Sequence, residues 1–280
     1  MNKILFKKQL SQSVFQMELE TPLISRECKA GQFIILSLDN DFAERIPLTI
    51  ADSNPEKGSI TIIFQVVGKT TLLLSDLNVG NNIANLLGPL GKPTHIERFG
   101  KVVCVGGGIG VAPSHPIAKA MKKASNELKI IIGARSKELI IFENEMKKLA
   151  DELIICTDDG SYGRKAIVTE PLREICENWK PDLVVAIGPA IMMKFCAETT
   201  RSFKIPTLVS LNTIMIDGTG MCGGCRVTVG NETKFVCVDG PEFDGHKVDF
   251  DNMMSRLRAY KDQETEAFHK CKLDSSIKAK

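Results

Sequence analysis

The sequence predicts an antiparallel β-barrel followed by a doubly wound α/β domain and a small cysteine-bearing module at the C-terminal side. Three observations carry this. Up to about residue 98, apolar and polar residues alternate in short runs broken by Gly, Pro and Asn. From Lys101, apolar strands alternate with helical stretches, the pattern of a parallel sheet. After Asn212 the texture changes into a run rich in Gly and Cys. At 280 residues the chain is long for one core, and the predicted divisions are 1–98, 99–212, 213–250 and 251–280.

In the first division, alternation runs through 4–8, 14–19, 33–38 and 60–66, a spacing that suggests a barrel. RIPLT (45–49) is expected at the end of a strand, a short helix near 71–77, and a turn at GPLGKP (88–93). In the second, KVVCVGGG (101–108) reads as a buried strand running into glycines, with a helix over 112–124. LKIIIGA (128–134) is the next strand, followed by a helix over 142–150. DELIICT (151–157), PDLVVAIGP (181–189) and PTLVSLN (206–212) supply further strands. From about Asp251 the apolar positions are sparse (Met253, Met254, Leu257, Tyr260), which predicts a helix and then a solvated tail. So small an apolar face would not hold a helix alone, so it is expected to pack on a partner subunit.

Composition narrows the function. The chain is 43% hydrophobic and 25% charged, with a net charge of +2, so a nucleic-acid partner is not expected. No apolar run approaches the roughly 20 residues that span a bilayer, and the start lacks a cleavable leader pattern. No membrane association and a cytoplasmic location are the expectations. Nine cysteines, an odd number, argue for free thiols plus a metal site rather than a disulfide framework. Cys104 and Cys156 lie in apolar runs and read as buried small hydrophobes. The histidines at 95, 115, 246 and 269 show no triad-like setting, so no side-chain general acid or base is expected.

Three motifs carry chemistry. DGTGMCGGC (217–225) keeps the C-x4-C-x2-C spacing of plant-type 2Fe–2S proteins, with Asp217 in the first place and Cys222 and Cys225 in the others. Cys237 follows after eleven residues, and a carboxylate oxygen can bind ferric iron, so Asp217, Cys222, Cys225 and Cys237 are the candidate ligands. A zinc site using the three cysteines with His246, or a lost cluster, would leave the same residues. In RIPLT, Arg45 offers a planar fork for a flavin pyrophosphate and Thr49 a hydroxyl near the ring system, with Pro47 and Leu48 between them, although any strand can carry an Arg and a Pro. Gly68, Lys69, Thr70 and Thr71 open a helix whose amides suit the same pyrophosphate, although a threonine cap alone would look alike. GGGIGVAP (106–113) is a phosphate-cradling turn through Gly107, Gly108, Ile109, Gly110 and Pro113, with Val111 where the usual motif has its last glycine. Tight packing of a helix on a strand also explains such a turn. Arg135, not an acidic residue, follows the second strand and would suit a 2′-phosphate. Asp158 and Asp159 in TDDGSYG are placed for a ribose. Gly188, Pro189 and Met192 in GPAIMMK are placed for the nicotinamide, although methionines here more often belong to the core.

Taken in order, these motifs resemble the ferredoxin reductase superfamily over about residues 1–260. The resemblance is to the branch containing the electron-transfer subunit of dihydroorotate dehydrogenase and the small subunit of NADH-dependent ferredoxin:NADP oxidoreductase. It implies a barrel holding FAD, an α/β domain binding NAD(H), with NADP(H) open, and a module holding a 2Fe–2S cluster. Hydride would pass from the nicotinamide to flavin N5, and single electrons onward to the cluster. Dihydroorotate dehydrogenase subunits hold their cluster with four cysteines, whereas Asp217 resembles the bifurcating transhydrogenase and sulfide dehydrogenase type. That type implies a larger flavin and iron–sulfur partner, similar to the glutamate synthase small subunit, with ferredoxin reached through the complex. A dihydroorotate dehydrogenase subunit, a stand-alone NAD(P)H reductase and a non-catalytic zinc-bearing interaction module are the other readings.

Overall fold

In the computed structural model, which describes residues 2–38 and 44–278, the alternating runs become a single curled sheet. Its elements are β1 (Asn2–Ser11), β2 (Val14–Glu20), α1 (Pro22–Glu27), β3 (Phe33–Ser37), β4 (Ile46–Asn54), β5 (Ser59–Gln65), α2 (Lys69–Asp76), β6 (Asn82–Ile83) and β7 (Asn85–Leu90). The order β6-β1-β2-β5-β4-β3-β7 is antiparallel. Its two outer strands are joined through Ala84, which brings the edges round into a nearly closed barrel. Inward-facing Ile4, Met17, Leu19, Ile34, Ile60, Ile62 and Phe64 fill it, and Leu74 of α2 plugs one end.

RIPLT opens β4 instead of ending a strand. β4 pairs first with β3 (Leu36 with Ile46, Phe33 with Thr49) and then with β5 (Ile50 with Ile62, Asn54 with Ser59). Its polar second half is therefore held by backbone pairing, which an apolar pattern does not reveal. GPLGKP is likewise only partly turn, because Gly88–Leu90 complete β7.

The α/β domain follows as β8 (Lys101–Gly107), a 3-10 turn at Gly108–Gly110, α3 (Val111–Lys123), β9 (Glu127–Ala134), α4 (Glu143–Leu149), β10 (Glu152–Thr157), β11 (Arg164–Lys165), α5 (Thr169–Asn178), β12 (Leu183–Ile187), α6 (Ala190–Arg201) and β13 (Thr207–Ser210). The parallel order is β11-β10-β9-β8-β12-β13, so the chain winds outward from β8 one way and then the other. The switch point lies between β8 and β12, where such sheets open a crevice. Both faces are covered, which is why the strands read as unbroken apolar runs. Val102 and Cys104 pack beneath Ile117 and Met121 of α3, and Val103 and Val105 pack towards Leu172 of α5 and Cys196 of α6. Barrel residues Val14, Ala51 and Ile63 join the α3-side core, and Lys119 pairs with Asp52 at 3.0 Å across the same seam.

The cysteine module is built into this core. It contains β14 (Arg226–Val229), β15 (Glu232–Phe235), α7 (Val236–Asp239) and β16 (Glu242–Asp244), and β16 adds antiparallel to β13. α8 (Phe250–Leu257) then returns over α6, with Asp249 capping its start by accepting from the Asn252 amide at 3.0 Å. Phe250 and Met253 are buried beside Cys225 and Val227, worth about 1.5–3 kcal/mol each when fully removed from water. The expectation that this helix packs only on a partner is therefore corrected, because Phe250 adds the apolar anchor that the sparse positions lacked. The predicted solvated tail is helical: α9 (Lys261–Lys278) lies against α2 and keeps most of its described side chains exposed. Among the described residues, no helix is long and apolar enough to cross a membrane.

Candidate functional site

A cavity of about 550 Å³ runs along the carboxyl ends of the parallel strands. Gly107, Gly108 and Ile109 line it from the turn after β8, Arg135 from beyond β9 and Asp158 from beyond β10. Gly188, Pro189 and Met192 line it after β12. Gly107 and Gly188 both lie under Met192, and a Cβ at Gly107 would overlap its sulfur. Three predicted residues are placed elsewhere. A Cβ at Gly110 would overlap the Ile187 carbonyl oxygen, so this glycine lets α3 close on β12. Pro113 sits in the first turn of α3. Asp159 accepts from the Ser161 amide (2.9 Å) and hydroxyl (2.7 Å), which hold its carboxyl below the usual range.

The cavity also contains residues the sequence did not single out. Asn212 lies just beyond β13, Ile191 and Phe195 come from α6, and Val14 and Gln65 come from the barrel. The rule that favoured strand ends could have found Asn212. Val14 and Gln65 carry no local signal, because only the docking of barrel on sheet brings them there.

In the barrel, Thr49, Leu48 and Pro47 stand opposite Phe33, Ile34 and Ile35 on β3, and Arg45 is exposed just before them. The Thr71 hydroxyl accepts from the amides of Val67 and Gly68 at 3.0 Å each, fixing the start of α2. The buried Thr70 hydroxyl donates to the Glu44 carboxylate, which draws the start of β4 to the first turn of α2. The segment leading into Arg45 thus stands beside the turn that carries Gly68 and exposed Lys69, and a Cβ at Gly68 would meet nothing within 4 Å. An open approach with a fork cation and a helix N-terminus fits the pyrophosphate of FAD.

In the cysteine loop, Asp217 accepts from the amides of Thr219 (2.9 Å) and Cys222 (2.7 Å), which hold its carboxyl below the usual range. The buried Cys225 thiol donates to Cys237 at 3.2 Å. Burial first, and then the Cys225 thiol, push the Cys237 thiol up to about 12. A metal bound between these two sulfurs would ionise both. Cys222 is exposed, with the Gly224 amide donating to its sulfur at 3.4 Å. Among the described residues no three His, Cys, Asp or Glu side chains converge on one metal position. The donors that do meet, a buried thiol pair and amides aimed at sulfur and carboxylate, fit an iron–sulfur cluster. His246 faces the Thr200 hydroxyl at 2.9 Å on α6, away from the cysteine pair. Arg256 of α8 donates to the Gly224 carbonyl at 3.2 Å and steadies the loop. On the barrel side, Thr94 donates to Glu242 at 2.6 Å, and burial pushes that carboxyl up to about 7.

Residues 104–198 match the oxidoreductase NAD-binding domain, and 212–249 match the iron–sulfur cluster binding domain of dihydroorotate dehydrogenase B. Over 264 residues the chain is 47% identical to a dihydroorotate dehydrogenase B (NAD(+)) electron transfer subunit homolog of Thermotoga maritima, covering 94% of this chain and 93% of the relative. It is 31% identical to the corresponding electron transfer subunit of Desulforamulus reducens, covering 88% and 96%. A solved chain of the NADH-dependent reduced ferredoxin–NADP oxidoreductase superposes with a TM-score of 0.91 at 45% identity, over 96% of this chain and 97% of that one.

Barrel and doubly wound sheet together are the ferredoxin reductase-like fold, and with the cysteine module they define an electron-transfer oxidoreductase using FAD, NAD(H) and a 2Fe–2S cluster. The chain belongs to the family of dihydroorotate dehydrogenase B electron transfer subunits and their homologues.

Proposed function

We propose that this chain is the small subunit of an NADH-dependent ferredoxin:NADP oxidoreductase of the electron-bifurcating kind. Its partner is a larger flavin and iron–sulfur subunit, similar to the glutamate synthase small subunit, with ferredoxin served through the complex. The observation that carries this reading is Asp217, a carboxylate held within the cysteine loop by the Thr219 and Cys222 amides, at the place where the resemblance implies a cysteine for dihydroorotate dehydrogenase subunits. The likeness to the solved oxidoreductase supports it. The description of the Thermotoga relative favours the second reading, delivery of electrons to a dihydroorotate dehydrogenase.

In this reading Arg45 and the turn Gly68–Lys69–Thr70–Thr71 hold the FAD pyrophosphate, and Pro47, Leu48 and Thr49 flank the ring system. A flavin held there would supply hydride acceptance and single-electron release. Gly107, Gly108 and Ile109 admit the dinucleotide pyrophosphate, Asp158 takes a ribose hydroxyl, and Gly188, Pro189 and Met192 border the nicotinamide. Gly110, Pro113 and Asp159 shape the loops that present those groups. Arg135 faces the adenosine end, where it would tolerate NADP(H) beside NAD(H). Asp217, Cys222, Cys225 and Cys237 hold the cluster. The working division is 1–98 for FAD, 99–212 for the dinucleotide, 213–250 for the cluster and 251–280 for the C-terminal helices.

The native complex and three variants test the assignment. Arg45→Ala should lose most of its FAD and keep its iron, because it removes a charge-assisted contact to phosphate. Asp217→Ala should lose iron and keep FAD, and Asp217→Cys should restore a cluster of shifted potential. A full cluster with unchanged spectrum and potential in Asp217→Ala would place the fourth ligand elsewhere and remove the main support.

A further inference from the structure

We propose that Asn212 recognises the nicotinamide carboxamide and so sets selectivity at that end of the dinucleotide. The inference rests on the cavity being the dinucleotide site. From Asp158 to Asn212 the cavity passes the ends of β10, β9, β8, β12 and β13. Four interstrand steps of about 4.8 Å make roughly 19 Å, the scale of an extended dinucleotide. The pyrophosphate turn after β8 lies in the middle. With Asp158 and Arg135 at the adenosine end, Asn212 stands at the nicotinamide end.

The backbone presents Asn212 to the cavity. Leu211 and Thr213 on either side are buried, and the Leu211 amide is fixed to the Pro241 carbonyl at 2.9 Å. Alternation then turns Asn212 outward, where it is exposed and lines the cavity. Its carboxamide makes no hydrogen bond to another described residue. Asn126, in the same domain, shows what a structural asparagine does here. Its oxygen accepts from the Phe99 and Gly100 amides, and its nitrogen donates to the Glu97 and Met121 carbonyls. Asn212 has the same donors and acceptor uncommitted. A carboxamide is matched by another carboxamide, since each offers one carbonyl acceptor and two N–H donors. The other carboxamide in the wall, Gln65, already donates to the Ser13 hydroxyl at 3.3 Å and sits on the barrel side near the turn after β8.

Binding to the intact complex, measured with NAD+, ADP-ribose and nicotinic acid adenine dinucleotide, tests this. ADP-ribose lacks the nicotinamide ring, and the nicotinic acid analogue replaces the carboxamide by a carboxylate. Asn212→Ala should weaken NAD+ about tenfold, the scale of a lost hydrogen-bonded contact, and leave ADP-ribose within about twofold. The native protein should prefer NAD+ over the nicotinic acid analogue, and the alanine variant should lose that preference. Asn212→Asp, the same size in an exposed position, should repel the carboxylate analogue further. Equal weakening of NAD+ and ADP-ribose, or unchanged NAD+ affinity in both variants, overturns the proposal. If ADP-ribose does not compete with NAD+ in the native protein, the cavity assignment itself fails and the proposal falls with it.

Discussion

Two glycine-rich loops shape the proposed sites, one opening the cavity after β8 and one carrying the candidate cluster ligands, and glycine serves each for a different reason. In the turn after β8 the need is room. Gly110 has an ordinary helical φ of −63°, yet a Cβ there would overlap the Ile187 backbone. In the cysteine loop the need is backbone conformation. Gly223 has a φ of +65°, and its nearest foreign atom would lie 3.7 Å from a Cβ. Gly218 needs both, with φ +75° and the tips of Leu90 and Ile35 at 2.6 and 2.7 Å from a Cβ. A motif of glycines thus marks two kinds of constraint. One belongs to packed secondary structure and the other to a loop that bends around a ligand.

Alanine substitutions put this comparison in order of cost, read as shifts in unfolding midpoint of the native complex. Gly110→Ala should be the most destabilising, by about 3 kcal/mol, because the obstacle is backbone on a central strand and cannot swing aside. Its cavity should also deform, with weaker ADP-ribose binding. Gly218→Ala should cost about 2 kcal/mol, since the left-handed backbone is strained but the colliding methyl groups can rotate. Gly223→Ala should cost about 1 kcal/mol, the backbone conformation alone. If Gly223→Ala proved as harmful as Gly110→Ala, the distinction between room and conformation would collapse.

The regions differ too in how much of them the residues announced. The parallel strands were legible because both faces are buried, and apolar runs such as VVCV leave little choice. Part of the cavity was legible from strand ends, at Gly107, Asp158 and Gly188. The barrel was legible as alternation, but β4 was not, because its polar half is held by β5 through backbone pairing. α8 was misjudged for want of Phe250, whose partners Cys225 and Val227 lie far back in the sequence. The candidate cluster residues stand out only as spacing, whereas the Thr94–Glu242 hydrogen bond that pins their module to the barrel joins residues 148 apart. Gln65 and Val14 were invisible for the same reason: contacts between separately patterned units leave no mark on either.

β16 has a consequence of a different kind. β13 would otherwise be the outermost strand of the sheet, with a row of free N–H and C=O groups on an apolar strand, and such an edge invites pairing with another chain. By lying antiparallel along Leu208, Val209 and Ser210, β16 closes that edge. The strand that closes it is made about thirty residues after the edge appears, as the sequence numbers show. During synthesis the dinucleotide sheet therefore stays adhesive until the cysteine module has followed it out and folded back. A chain cut near Asn212 would keep every predicted dinucleotide residue and lose its protection against aggregation.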